Sequence, residues 1–253
     1  MKNKVSFIKL FLRLFFIQAL WNFEGLQNAG FLFVIFPALK KIYPDKEKRK
    51  EILLRHIDFF NTQPYMAGLI VGLVAKLEED NNEGRPVSGE EINSVKKNMA
   101  GPLAAMGDAF FWGSFRPLAA IIATALIFLA LKTPLGISPI LAPVFFVVFY
   151  NVVNIPFRYW GIVVSYKMSA KIIGKVASIN FQRIVNVLRI ISALILLAVM
   201  IFYVVSYSQS ISRALIFVLV LGFTILWSCI RWPITALFYL TIIAGLFLSR
   251  TFQ

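Results

Sequence analysis

Four clusters of polar side chains interrupt the apolar first half of this chain, and each contains groups able to bind or to ionise. Trp21-Asn22-Phe23-Glu24 with Gln27-Asn28 forms the first. Arg55-His56, Asp58 to Thr62 and Pro64-Tyr65-Met66 form the second. Gly101-Pro102-Leu103 with Gly107-Asp108 is the third, and Phe111-Trp112 with Arg116-Pro117 the fourth. Glu24 and Asn28, four residues apart, could face one polar cavity from a single helix face. Asn61, Thr62 and Tyr65 offer hydrogen bonds to a polar ligand or, the favoured reading, across to a neighbouring chain. Trp21 at a membrane interface is most often simply an anchor. His56 is a possible phosphoryl acceptor, but a lone imidazole beside Arg55 is more often a structural hydrogen-bonding group. Asp108 is the sharpest candidate. A carboxylate among some twenty apolar positions costs on the order of 3 kcal/mol in a bilayer unless paired or hydrated. It is therefore either functional or paired with Arg116, and these two readings stand level. Arg116 before Pro117 reads as structural.

The elements that must position these residues are membranous. Of 253 residues, 59% are hydrophobic and 15% charged, against about a quarter charged in ordinary soluble domains. The net charge of +14 does not indicate nucleic acid, because its positive residues are scattered between apolar runs and do not concentrate on one wet face. All twelve carboxylates lie at or before Asp108, so the second half alone can build no carboxylate pair and no carboxylate metal site. The single cysteine, Cys229, excludes a disulfide framework and a cysteine metal cluster, and the single histidine excludes any two-histidine site. No cofactor and no metal is expected.

Residues 1–20 thread Lys2, Lys9 and Arg13 through Phe, Ile and Leu, which predicts an amphipathic interfacial helix in preference to a cleaved signal. Phe31 to Leu39 is apolar but too short to span a bilayer about 30 Å thick. Lys40 to Arg55 carries seven basic residues and reads as a charged cytoplasmic helix. Ile57 to Leu77 is largely apolar; Lys76 to Lys97 is hydrophilic, with a loop around residues 81–86. Met99 to Leu131 holds only Asp108 and Arg116 as charges, and its Pro102, Gly107, Gly113 and Pro117 predict a broken or re-entrant pair of short helices. Ser138 to Pro156 is apolar, Lys167 to Arg189 is basic, and plain spans follow at Ile190 to Tyr207, Ala214 to Ile230 and Ile234 to Leu248. The basic segments belong on the cytoplasmic side, which puts Ser206 to Arg213 outside. The expected fold is thus an all-α integral membrane protein. Its expected parts are the N-terminal helix 1–20, a polar-segmented membrane core 21–176 and C-terminal spans 177–253. No internal repeat is evident.

At the polar clusters the chain resembles the D subunit of the mannose-type sugar phosphotransferase system. The run Gln-Ala-x-Trp-Asn-Phe-Glu at Gln18 to Glu24 is similar to that family's opening. So are Arg-His-x-x-Phe-Phe-Asn-Thr-x-Pro-Tyr-Met at Arg55 to Met66 and Gly-Pro-Leu-Ala…Gly-Asp…Phe-Trp…Arg-Pro at Gly101 to Pro117. The resemblance covers residues 6–176 and returns weakly over the last two spans. Gln63 stands where the family commonly has a second histidine, and Ala109 where it often has a small residue or proline. Only Ser206 to Arg213 fills the place of a small extramembrane segment.

The resemblance implies a non-catalytic subunit that pairs with a membrane C subunit (IIC), the pairs assembling as a trimer in a bacterial inner membrane. It implies a sugar held mainly by C and phosphorylated on the cytoplasmic side by phosphorylated IIB, the relay histidines sitting on the soluble phosphocarriers IIA and IIB. The residues offered as substrate pathway or subunit contacts are Trp21, Asn22, Glu24, Asn28, His56, Asn61, Thr62, Tyr65, Asp108, Trp112 and Arg116. A channel or scaffold descended from the family but uncoupled from phosphotransfer is the alternative.

Overall fold

The computed structural model describes residues 5–132, 136, 138–207, 235, 236, 239, 240 and 242. Compact units comprise Met1–Ile195 and Leu196–Gln253. The described part of the first is helical: α1 (Phe7–Leu14), α2 (Asn28–Ile42), α3 (Lys46–His56), α4 (Ala67–Asn82), α5 (Gly89–Gly107), a π-helical segment (Asp108–Phe115), α6 (Arg116–Lys132), α7 (Leu141–Met168) and α8 (Lys171–Ser178). Helix α9 (Phe181–Tyr207) follows. Isolated β-bridges join Asn22 to Leu26 and Leu26 to Phe60.

Helix starts follow local chemistry. The Asp45 carboxylate accepts from the Lys48 amide at 2.8 Å to open α3. Ser88 accepts from the Glu91 amide at 3.1 Å to open α5, where Glu90 and Glu91 complement the helix dipole. Helix α4 is the centre of the first unit. Every residue from Ala67 to Ala75 is buried, so it has no solvent stripe, as expected of a helix enclosed by others. It packs chiefly on α7. There the absence of a side chain is essential: a Cβ on Gly72 would overlap the Ile162 carbonyl oxygen and the Ser165 hydroxyl. Small residues on facing helices let backbones approach closely, the usual device of helix pairs in membranes.

Three helical stretches among the described residues are long and apolar enough to cross a membrane: Gly89–Leu131, Leu141–Met168 and Lys171–Phe202. The first is 43 residues long and runs through the region where the sequence predicts two short helices. The irregularity survives, but as a π-helical segment inside a continuous helix. Backbone groups left open by a turn would be costly in lipid, and a widened helical turn keeps them bonded. Helix α2 extends beyond the predicted Phe31 to Leu39 to 15 residues, about 22 Å, still short of a span. Helix α1 buries Leu10 and Leu14 while Ile8 and Leu12 remain exposed, so apolar side chains lie on two sides of it. The predicted span Ile190 to Tyr207 is the C-terminal part of α9. Ala214 to Ile230 lies outside the described residues, as do Cys229, most of Ser206 to Arg213 and most of Ile234 to Leu248.

Candidate functional site

The loop before α2 and the loop before α4 are sewn together by amides. Gln27 donates its backbone N–H to the Phe60 carbonyl at 2.8 Å, and Phe60 donates to the Gly25 carbonyl at 3.2 Å. The Gln27 side chain then copies a strand partner: its Nε2 donates to the Thr62 carbonyl at 2.8 Å, and its Oε1 accepts from the Thr62 amide at 3.1 Å. Thr62 Oγ1 donates to the Ala100 carbonyl at 3.0 Å, tying in α5. Asn28 Nδ2 donates to the Ile57 carbonyl at 2.7 Å, and Asn22 Nδ2 donates to Asn28 Oδ1 at 3.0 Å. Asn22, Asn28 and Thr62 are thereby committed to holding backbone. Trp21, Glu24 and Asn61 are exposed, Trp21 in edge contact with Phe23. Glu24 and Asn28 do not share a helix, because α2 begins only at Asn28.

Beneath this seam is a buried ionic cluster. Glu78 on α4 is fully buried and receives Arg55 Nε at 3.1 Å, His56 Nε2 at 2.8 Å and the Tyr43 hydroxyl at 2.8 Å; Arg55 Nη2 meets its other oxygen. Lys96 Nζ donates to the His56 carbonyl at 3.4 Å. Burial works against the Glu78 charge, but the His56 hydrogen bond and the Arg55 guanidinium outweigh it and hold the carboxyl below its usual range. Burial pushes the His56 imidazole down, against the pull of Glu78. The Tyr43 phenol is pushed up, first by burial and then by Glu78. Sequence reasoning singled out His56 and placed Gln27 in the first polar cluster, but missed Glu78 and Lys96. Glu78 falls in a segment whose composition is hydrophilic; the one signal was its place directly after a long apolar helical run.

The third group centres on Tyr65. Its ring lies edge-on to Phe111 at 4.9 Å, the Arg158 guanidinium sits 4.4 Å over it, and its hydroxyl accepts from the Tyr150 hydroxyl at 3.3 Å. Arg158 also donates to the Leu14 carbonyl at 3.2 Å, joining α7 to α1 across 144 residues of sequence. Gln63 caps the entry to α4, its Oε1 accepting from the amides of Tyr65 at 2.6 Å and Met66 at 3.2 Å. Asp108, Trp112 and Arg116 point the other way. All three are exposed on one side of the long helix, and no ion pair joins Asp108 to Arg116. The two residues stand at opposite ends of the π-helical segment. A cleft of about 620 Å³ between α5 and the α8–α9 link is lined by Ser178, Asn180 and Gln182 among apolar groups, and none of the sequence candidates lines it.

Residues 3–216 match the family described as the mannose/fructose/sorbose family IID component of the phosphotransferase system (PTS). The chain belongs to that family. This IID-family chain is 37% identical over 166 residues to the PTS system mannose-specific EIID component of Escherichia coli strain K12, covering 65% of this chain and 56% of that one. It thus spans little more than half the length of that relative. A solved structure described only as a membrane protein matches with a TM-score of 0.68 at 31% identity, covering 78% of this chain and 71% of the other. The mannose transporter ManYZ in complex with microcin E492 matches with a TM-score of 0.59 at 28% identity, covering 96% of each chain. The IID fold is all-helical and multi-pass, and its place is the bacterial membrane. Each of the three sequence motifs of the family lies at a junction described above: Gln18 to Glu24 leads into the seam, Arg55 to Met66 supplies its other side, and Gly101 to Pro117 carries Ala100's neighbours and the outward Asp108 face.

Proposed function

We propose that this chain is the IID membrane subunit of a mannose-type PTS permease. It pairs with a IIC subunit, the pairs assembling as a trimer, and together they move a sugar that phosphorylated IIB modifies on the cytoplasmic side, IIB being charged by IIA. The observation that carries this reading is the family match across residues 3–216. The one histidine is unsuited to a phosphoryl relay: His56 is sealed in the core on Glu78.

Two roles divide the candidate residues. Asn22, Asn28, His56, Thr62 and Tyr65 have internal partners and act as scaffold. Trp21, Glu24, Asn61, Asp108, Trp112 and Arg116 are exposed and act as subunit contacts or pathway groups. A carboxylate on the face of a membrane helix needs donors from somewhere, and a partner subunit offers them. Complementation tests both levels. Expressed with its IIC, IIA and IIB partners in a strain lacking the native IID, the wild-type chain restores sugar uptake and co-purifies with IIC. Asp108→Asn, nearly isosteric, inserts and co-purifies but lowers uptake; Asp108→Leu also weakens co-purification. Uptake restored without the IIB phosphocarrier would overturn the permease reading, and wild-type uptake by Asp108→Asn would reduce Asp108 to surface packing.

A further inference from the structure

A second concave site lies away from all these residues, between α1 and the C-terminal half of α2. It is a cleft of about 460 Å³ whose lining includes Lys9, Arg13, Lys40 and Lys41, with Phe36 and Pro44 among its walls, and no carboxylate. Lys9, Arg13 and Lys40 bring three positive charges to one concavity, and an arrangement of that kind is relieved by an anion. The geometry is built into the backbone. Pro37 lies inside α2 and has no N–H, so the Phe33 carbonyl loses its helical donor. Arg13 Nη1 donates to that carbonyl at 2.8 Å, and its guanidinium lies 4.4 Å over the Phe33 ring. The guanidinium is thereby anchored at the cleft. Lys40 and Lys41 occupy the last turn of α2, and Lys9 stands one turn before Arg13 on α1.

We propose that this cleft binds an anionic phosphate group. Arg13 provides a fixed, planar donor, and the lysines provide mobile charge around it. The surroundings suit an amphiphile. Phe16 and Phe33 are exposed and meet edge-on at 6.4 Å beside Arg13, while Ile8 and Leu12 are exposed on the same short helix. A phospholipid headgroup seated in the cleft would leave its acyl chains along these side chains, and α1 would be held at the bilayer surface through a specific contact as well as a general one. A free phosphate or phosphate ester presents the same chemistry without the chains.

The test uses the delipidated full chain in neutral detergent, titrated with phosphatidylglycerol, phosphatidylcholine or inorganic phosphate and read by native mass spectrometry. Wild type is expected to retain phosphatidylglycerol over phosphatidylcholine. Lys40→Gln should weaken that binding about fivefold, and Lys9→Gln/Lys40→Gln about thirtyfold. Lys46→Gln/Lys50→Gln, which removes the same charge from exposed positions of α3, should stay within about twofold of wild type. Phosphatidylglycerol binding that inorganic phosphate leaves unchanged assigns the site to lipid. Phosphate binding alone, lost in the Lys9/Lys40 variant, assigns it to a soluble phosphate. Unchanged binding in the Lys9/Lys40 variant overturns the proposal. So does equal weakening in the α3 control, because general positive charge then suffices. If the double variant does not fold, Lys40→Gln alone decides, since Lys40 is exposed.

Discussion

Glu78 shows how much a single side chain can organise. An ionised carboxylate with no exposed surface is tolerable only when donors surround it, and Arg55, His56 and Tyr43 do so from two other segments. The cluster also predicts a pH response. The His56 imidazole is neutral when buried, and its folded value lies below the ordinary one near 6.5. Between those two values the unfolded chain binds the extra proton. The His56 contribution is therefore complete above about pH 6.5 and falls as pH drops through that value towards the folded one, whereas the loss from Lys96, whose amine burial lowers to about 8, falls mainly at more alkaline pH. Glu78, held low by its donors, adds a second loss at more acid pH, beginning near the ordinary carboxyl value and continuing through its folded one. Since the chain has one histidine and Lys96 titrates above it, the loss below about pH 6.5 belongs to His56. Thermal unfolding of the detergent-purified chain from pH 8 to 5 should show a falling midpoint below about pH 6.5, and His56→Gln should flatten that part of the curve. Identical slopes in the two proteins would place the titration elsewhere.

At the scale of elements, the pairing of α4 with α7 holds the first unit together, and its tolerance for added bulk is small. Gly72→Leu must push α7 away from the Ile162 carbonyl, and strain of this kind costs about 1–3 kcal/mol. Gly101→Ala is the matched control: a Cβ there meets nothing within 4 Å, and alanine in a helix is favoured over glycine by up to about 1 kcal/mol. The expected result is a lowered unfolding midpoint and lower yield for Gly72→Leu, with Gly101→Ala equal to wild type or better. Equal midpoints for both would mean that the helices can separate freely. The same paired helices explain why the predicted break after Met99 is absent. Pro102 and Gly107 weaken a helix locally, but Gly107 sits against Gln63 and Met66, and the π-helical turn keeps Phe111, Ser114 and Phe115 facing the core. Local weakness read from residue types was outweighed by packing and by the need to keep backbone bonded in lipid.

For the whole molecule, the charge distribution sets the orientation to be tested. Basic residues resist translocation, so Lys171 on α8 should be cytoplasmic and Ser210, outside the described residues, external. In a Cys229→Ser background, an impermeant thiol reagent applied to intact cells should label Ser210→Cys and leave Lys171→Cys silent. The reverse pattern would invert the topology. Membrane class, helical content and family were all legible in the residues, because they depend on composition and on the linear order of long motifs, which survive without knowledge of the fold. The choice of polar partners was not. Gln27 with Thr62, Glu78 with Arg55 and His56, and Arg158 with Tyr65 and Leu14 join segments 22 to 144 residues apart. Periodicity could not reveal the partners of Glu78, because Ala67 to Ala75 of α4 is buried all round and no polar stripe marks which neighbours face the helix. Asp108 is the converse case: its residue type announced a cost, but only the packing of Phe111 and Phe115 into the core decided that the carboxylate turns outward. Which polar groups are buried, and against what, is settled by contacts between distant elements, and the desolvation that makes those contacts obligatory exists only once the helices have packed.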